Sequence, residues 1–234
     1  VFLLSRNTVD FPDPALADED GILAVGGDLT PVRLLTAYSL GIFPWYNEDS
    51  PILWWHPDPR CVLFLNEFHL PKSLKKVINA GTFELRIDTA FEAVIKSCAN
   101  SFRPNQEGTW LTQEMQQAYL HLHKLGFAHS IESWQNNKLC GGVYGVALGN
   151  IFFGESMFYK EPNASKIAFY GLVTLLKKLN FRLLDCQQRS ENVLRFGARE
   201  ISRQAFMQEL SKNMLEETLR GNWTIYRDSC TIVS

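Results

Sequence analysis

Two short strands hold the residues best able to do chemistry. FFGESMF, residues 152–158, places a carboxylate (Glu155) and a hydroxyl (Ser156) in an aromatic run, and LLDCQ, residues 183–187, does the same with Asp185 and Gln187. Asp185 and Gln187 are two positions apart, so on a strand their side chains share one face. A buried carboxylate costs several kcal/mol unless partnered. Asp185 therefore needs either a structural partner, such as an Arg or a helix end, or a task. Other chemistries lack their signatures: no phosphate-cradling Gly loop, no dinucleotide fingerprint, no nucleophile elbow and no H-E-x-x-H occurs. His121 and His123 sit two apart on a helical stretch and point to different sides, which makes them poor metal co-ligands. The five cysteines are widely spaced without a C-x-x-C pair, and Cys186 reads as a buried strand residue.

The elements that must position these residues follow from periodicity. Residues 1–60 are rich in Pro and Gly turns, with a helix at Pro31–Leu40, capped by Thr30 and stopped by Gly41. The run IFPWYNEDSPILWWHPDPR reads as a rigid aromatic surface. From residue 61 the pattern becomes regular. VLFL is a strand, Ser73–Asn79 a short helix, and Phe83, Leu85 and Ile87 alternate as a strand should. Thr89 and Glu92 suggest a capping box opening a helix to Cys98, and a second helix spans Thr112–Leu125. Strands at Phe127–Trp134, Leu139–Ala147 and Ile151–Phe158 are joined as hairpins. A helix over Ala164–Leu179 and a strand over Phe181–Gln187 follow. Helices near Glu191–Phe196 and at Arg203–Leu219 precede a last strand, WTIY. The expected fold class is α+β: a small N-terminal domain (1–60) and a larger mixed-sheet domain (61–234). The larger domain's element order is that of the N-acetyltransferase-like (GNAT-type) fold, in which splayed strands hold an acyl donor.

Composition narrows the classes. Hydrophobic residues make up 46% and charged residues 21%, which excludes a disordered chain. The longest uncharged run, Leu139–Gly154, is too broken by glycine to span a bilayer, and the opening residues lack the ordered parts of a signal peptide. A cytoplasmic, reduced protein with no membrane partner is expected. The net charge of −2 argues against a general nucleic-acid coat. Charge is uneven, however: residues 1–60 hold three basic and nine acidic residues, residues 61–234 twenty basic and sixteen acidic. Lys72, Lys75 and Lys76 share one helical face, as a solvated face or a phosphate contact would.

The stretches FPDP, GILAVGGDLTPVRLLTAYSLGIFPWY, PILWWHPDPR, GTWLT, AYLHLHKLGFAHSIESW, GGVYGVALG, FFGESMF, NASK and LLDCQ closely resemble, in order, the leucyl/phenylalanyl-tRNA–protein transferase family. The resemblance implies transfer of Leu or Phe, and Met less well, from aminoacyl-tRNA to the α-amine of an N-terminal Arg or Lys. Such tagging marks proteins for degradation by the N-end rule. No cofactor and no metal is implied, and a monomer is expected. Carried over onto matched positions, Trp45 and Trp110 stack around the terminal adenosine, with Tyr38 and Phe43 supporting the first. Val143, Phe152, Met157, Phe169, Leu172, Leu176 and Leu184 line the side-chain pocket. Glu155 and Ser156 hold polar substrate groups, Asp185 and Gln187 work at the reacting carbonyl and amine, and Lys72, Lys75 and Lys76 touch acceptor-stem phosphates. After DCQ the chain departs from the family pattern: Asn192 stands where a His is usual, and Arg195-Phe196 where Ser-Leu is. Two other readings remain at this stage, an acetyl-CoA-dependent N-acyltransferase on the same fold and a non-catalytic reader of tRNA ends. The first lacks the Gly-rich pyrophosphate turn, since the junction reads YKEPNASK.

Overall fold

The computed structural model describes residues 1–101 and 111–230. Among the described residues, two mixed sheets and seven α-helices make an α+β architecture. The smaller sheet has the order β1-β2-β4-β3, from β1 (Phe2–Leu4), β2 (Ile22–Gly26), β3 (Phe43–Pro44) and β4 (Leu53–Trp55). Helix α1 (Pro31–Ser39) starts with Pro at its first position, where a missing N–H costs nothing. The seven-stranded sheet comprises β5 (Arg60–Phe64), β6 (Glu84–Ile87), β7 (Ala128–Gln135), β8 (Lys138–Leu148), β9 (Ile151–Tyr159), β10 (Leu183–Gln187) and β11 (Arg199–Ile201). Its order is β11-β5-β10-β9-β8-β7-β6.

Alternation along these strands feeds two cores, one on each face. On one face, Tyr144, Phe153 and Phe158 pack with α3 (Phe91–Ala99), α4 (Gln113–Lys124), α1 and the small sheet. The small sheet thus shares its core with the large one. On the other face, Val143, Phe152 and Leu184 pack under α5 (Ala164–Lys178), which carries ten buried residues. Helix α2 (Lys72–Asn79) buries Leu74 and Ile78 beside it and leaves Lys72, Lys75 and Lys76 exposed. Helices α6 (Glu191–Leu194) and α7 (Arg203–Asn213) close the chain, the latter adding Phe206 and Leu210 to the first core.

Three expectations are corrected. The capping box does not form: α3 begins one residue later, with Ala90 as N-cap. Thr89 instead gives its hydroxyl to the buried Glu132, whose Oε1 also accepts the N–H groups of Thr89 and Ala90 at 3.1 Å. A carboxylate from β7 has taken over the capping task. WTIY is not a strand. Trp223 stacks on His129 at 3.8 Å and 7°, and its N–H donates to Asp88, so the segment docks as 3-10 turns over Trp223–Cys230. Helix α7 ends at Asn213 rather than Leu219, and β11, unforeseen, pairs with β5.

Glycines in β8 let neighbouring chains approach. A Cβ on Gly145 would lie 2.1 Å from the Phe153 carbonyl oxygen and 2.5 Å from the Phe152 ring. Gly145→Ala must therefore push β8 and β9 apart at their centre. The urea midpoint is expected to fall by the equivalent of about 3 kcal/mol or more.

Candidate active site

Both chemistry-bearing strands are bulged at the residues in question. Tyr144 pairs with Ser156 but Gly145 with Gly154, so Glu155 is the extra residue of β9. Val62 pairs with Asp185 but Cys61 with Gln187, so Cys186 is the extra residue of β10. Bulges bend a strand and re-aim side chains. Here they coincide with the end of the parallel β9–β10 pairing, whose last partners are Phe153 and Asp185. Beyond that point the strands are joined through side chains, Gln187 Nε2 donating to Glu155 Oε1 at 2.8 Å.

Glu155 is the hub. The Tyr38 hydroxyl lies 2.7 Å from its Oε1, the Tyr119 hydroxyl 2.7 Å from its Oε2, and the two hydroxyls lie 2.7 Å from each other. Three short O···O contacts need three protons, and two phenols supply two. The ring closes when the carboxyl carries the third. Removal from water pushes the Glu155 pKa up to about 7, and the nearby Asp185 charge adds to this, against the lowering effect of the donated hydrogen bonds. Burial and the Glu155 charge likewise raise both tyrosines well above the usual phenol value.

Asp185 stands behind this group. It is fully buried and binds the equally buried Arg60 through two parallel bonds, Nε to Oδ1 at 2.9 Å and Nη2 to Oδ2 at 2.7 Å. The Arg60 guanidinium also lies 4.8 Å from the Phe43 ring and 4.6 Å from the Phe206 ring. Asp185 Oδ1 further accepts the backbone N–H of Gln187 at 2.9 Å. Gln187 has φ 62°, an uncommon conformation for a side-chain-bearing residue, and this bond helps hold it there. The Asp185 carboxylate thus sets the position of Gln187.

In front of Glu155 lies a cavity of about 930 Å³, near the upper end of small-ligand sites. Of the residues expected from the sequence, Val143, Met157, Phe169, Leu172 and Leu184 form its apolar lining, and Glu155 and Ser156 its polar part. Phe152 and Leu176 belong to the core beneath, and Tyr38 and Phe43 to the core on the opposite face. Trp45 is half-buried, its ring 5.1 Å from that of Trp55. Trp110 lies outside the described residues. Cys186, expected in the core, is half-buried and lines the cavity. The sequence reading passed over Arg60 and Tyr119. A polar residue among the buried Met115, Ala118 and Leu122 of α4 was the available signal for Tyr119. The carboxyl groups of the site lie among apolar walls with phenols and an amide, an arrangement suited to moving a proton at an acyl group. No cluster of metal-ligating side chains occurs among the described residues.

Comparison with known proteins decides between the acyl-transfer readings. The profile described as leucyl/phenylalanyl-tRNA protein transferase matches residues 62–211, and that of the family's N-terminal domain residues 27–58. The chain belongs to this family. A leucyl/phenylalanyl-tRNA–protein transferase from Oleidesulfovibrio alaskensis is 52% identical over 93% of this chain and 90% of its own length. One from Anaeromyxobacter sp. (strain Fw109-5) is 55% identical over 96% and 95%. A conserved protein of unknown function from Staphylococcus epidermidis overlaps 77% of this chain and 68% of its own, with a TM-score of 0.39 and 13% identity. As a family member the chain is an aminoacyltransferase that takes Leu or Phe from tRNA to a protein. None of its described helices is long and apolar enough to cross a membrane.

Proposed function

We propose that the cavity beside Glu155 receives the aminoacyl end of the donor, and that the acceptor is the α-amine of a protein beginning with Arg or Lys. The observation carrying this reading is the Glu155 carboxyl at the polar edge of an apolar cavity, held from behind by Tyr38, Tyr119 and Gln187. The donor's side chain enters between Val143, Met157, Phe169, Leu172 and Leu184. An apolar pocket accepts Leu, Phe and Met together because a methylene changes binding by only ~1–3 kcal/mol, and the thioether of Met157 adapts to each shape.

The chemistry starts from an activated ester. The neutral α-amine attacks the ester carbonyl, the C–N bond forms and the C–O bond to the ribose breaks. The nitrogen's surplus proton passes to Glu155, which returns it to the ribose oxygen as that oxygen leaves, so the carboxylate is regenerated. A carboxyl group with a pKa of about 7 is matched to an amine whose pKa is ~7.7–8. Gln187 and Ser156 orient the polar groups, and Asp185 positions Gln187 with Arg60 behind it. Alignment alone supplies up to ~7–11 kcal/mol of such a barrier.

Other roles complete the reading. Residues 1–60 form the small unit and 61–234 a GNAT-like unit, supported by the small sheet ending at Trp55 and by the separation of β9 from β10 past Asp185. Trp45, with Trp110, stacks on the terminal adenosine. Lys72, Lys75 and Lys76 meet acceptor-stem phosphates, supported by their common exposed face. The protein acts as a cytoplasmic monomer, and its products enter N-end rule degradation. Base stacking is worth ~1–3 kcal/mol, so Trp45→Ala is expected to weaken Phe-tRNA binding about tenfold or more, read from the Kd. The proposal is tested by transfer of labelled Leu or Phe from charged tRNA to an Arg-starting peptide, with an Ala-starting peptide and acetyl-CoA as controls. Label on the Arg peptide alone supports it, and equal labelling of both peptides overturns it.

A further inference from the structure

The cavity ends in a polar rim for which the chemistry above has no use. Helix α5 lines it with Ser165 and Lys166 of its first turn, and α6 and the residue after it supply Asn192 and Arg195. Among the described residues no side chain caps the N-terminus of α5. The N-cap, Asn163, is left-handed at φ 69°, and its amide oxygen accepts from Lys166 Nζ at 3.2 Å instead. The positive end of a 15-residue helix thus borders the cavity.

Two further observations point to a missing anion. Ser165 is only 8% exposed and lines the cavity, yet its hydroxyl has no hydrogen-bond partner among the described residues. What little of Ser165 is exposed borders the cavity, so a ligand there can reach the hydroxyl as donor or acceptor. Lys166 and Arg195 form no ion pair among the described residues. Arg195 spends its Nε on the Glu191 carbonyl oxygen at 3.0 Å, which leaves its terminal nitrogens for a ligand. Two cations, a hydroxyl and a helix N-terminus around one end of a cavity suit a phosphate group.

We propose that Ser165, Lys166 and Arg195 form a phosphate subsite that holds the phosphodiester on the 5′ side of the donor's terminal adenosine. The inference rests on the assignment of the cavity to the aminoacyl end. A donor bound there brings a phosphate within one nucleotide of the reacting carbonyl. The acceptor brings a cationic Arg or Lys side chain, which a basic rim repels.

The test compares three phenylalanyl donors: charged tRNA, the dinucleotide cytidylyl-adenosine charged at its 3′ end, and charged adenosine, which has no phosphodiester. Lys166→Ala, Arg195→Ser and Ser165→Ala are each assayed against wild type with a saturating Arg-starting peptide. For the tRNA and the dinucleotide, KM is expected to rise about tenfold for each lost cation, with kcat unchanged. For charged adenosine neither constant moves. Loss of equal size with all three donors, or a raised KM for the peptide, overturns the phosphate subsite. Unchanged constants with every donor overturn it too. Competition of wild type by free phenylalanine analogues of the donor separates the underlying reading. A cavity that is not the aminoacyl site gives inhibition unaffected by Leu172→Phe, whereas failure of the subsite alone leaves that sensitivity intact. Lys166→Gln, which keeps the stem, guards against a folding defect.

Discussion

Glu155→Gln is expected to lower the single-turnover transfer rate by ~10²–10⁴-fold while Phe-tRNA binding stays near that of wild type. The amide reproduces the protonated acid. Its nitrogen donates to the Tyr119 hydroxyl, Tyr119 donates to Tyr38, and Tyr38 and Gln187 donate to the remaining oxygen. Every short contact around the site then keeps a proton. What the variant cannot do is ionise and take a proton from the amine. Stability separates this from simple damage. The Glu155 pKa of about 7 in the folded chain exceeds the ordinary 4.5, so between those values the folded state holds more protons than the unfolded one. Wild-type stability attributable to this group is therefore greatest below pH 4.5, falls as pH rises towards 7, and is level above. The variant has no such loss. Chemical denaturation should find the two equally stable near pH 4.5 and the variant more stable at pH 8, by an order of a few kcal/mol. A variant that is both inactive and less stable at pH 8 contradicts the proton ring.

Asp185→Asn should act mainly through position and stability. Arg60 and Asp185 are both wholly buried, and the pair shares two bonds. An amide nitrogen facing the guanidinium leaves a buried charge without its partner, a change that typically costs ~3–5 kcal/mol. For a chain of this size that lowers Tm by roughly 10 °C. Transfer falls as well, because the acceptor for the Gln187 N–H is disturbed. Replacing both partners, Arg60→Met with Asp185→Leu, distinguishes the two effects. Apolar residues of similar volume recover most of the stability, whereas Gln187 still lacks the carboxylate that holds its backbone, so activity does not return. Differential scanning calorimetry and single-turnover transfer on the same samples check this. Recovery of both would make Asp185 a purely structural residue.

Strand and helix periods announced most of the elements that carry the site, because FFGESMF and LLDCQ place polar residues in runs that otherwise bury their side chains. The two bulges were hidden. One extra residue leaves an alternating pattern almost unchanged, yet it decides that Glu155 faces Tyr38 and Tyr119. The need of Asp185 for a partner could be stated, but Arg60 lies 125 positions away, and only the pairing of β5 with β10 brings it close. Thr89 and Glu92 had the spacing of a capping box, and a long-range carboxylate from Glu132 outcompeted it. WTIY had strand composition, but the stacking of Trp223 on His129 fixed it otherwise. Local patterns failed wherever one buried polar group or one large aromatic ring found a distant partner.

The most direct test of the account is the pH dependence of single-turnover transfer from saturating Phe-tRNA to a saturating Arg-starting peptide, followed from pH 5.5 to 8.5. The predicted result is a rate in the bound complex that rises with ionisation of two groups, one near pH 7 and the α-amine above it, and that keeps only the amine's rise in Glu155→Gln. A profile that keeps the same inflection in Glu155→Gln, at an undiminished rate, would contradict Glu155 as the proton acceptor.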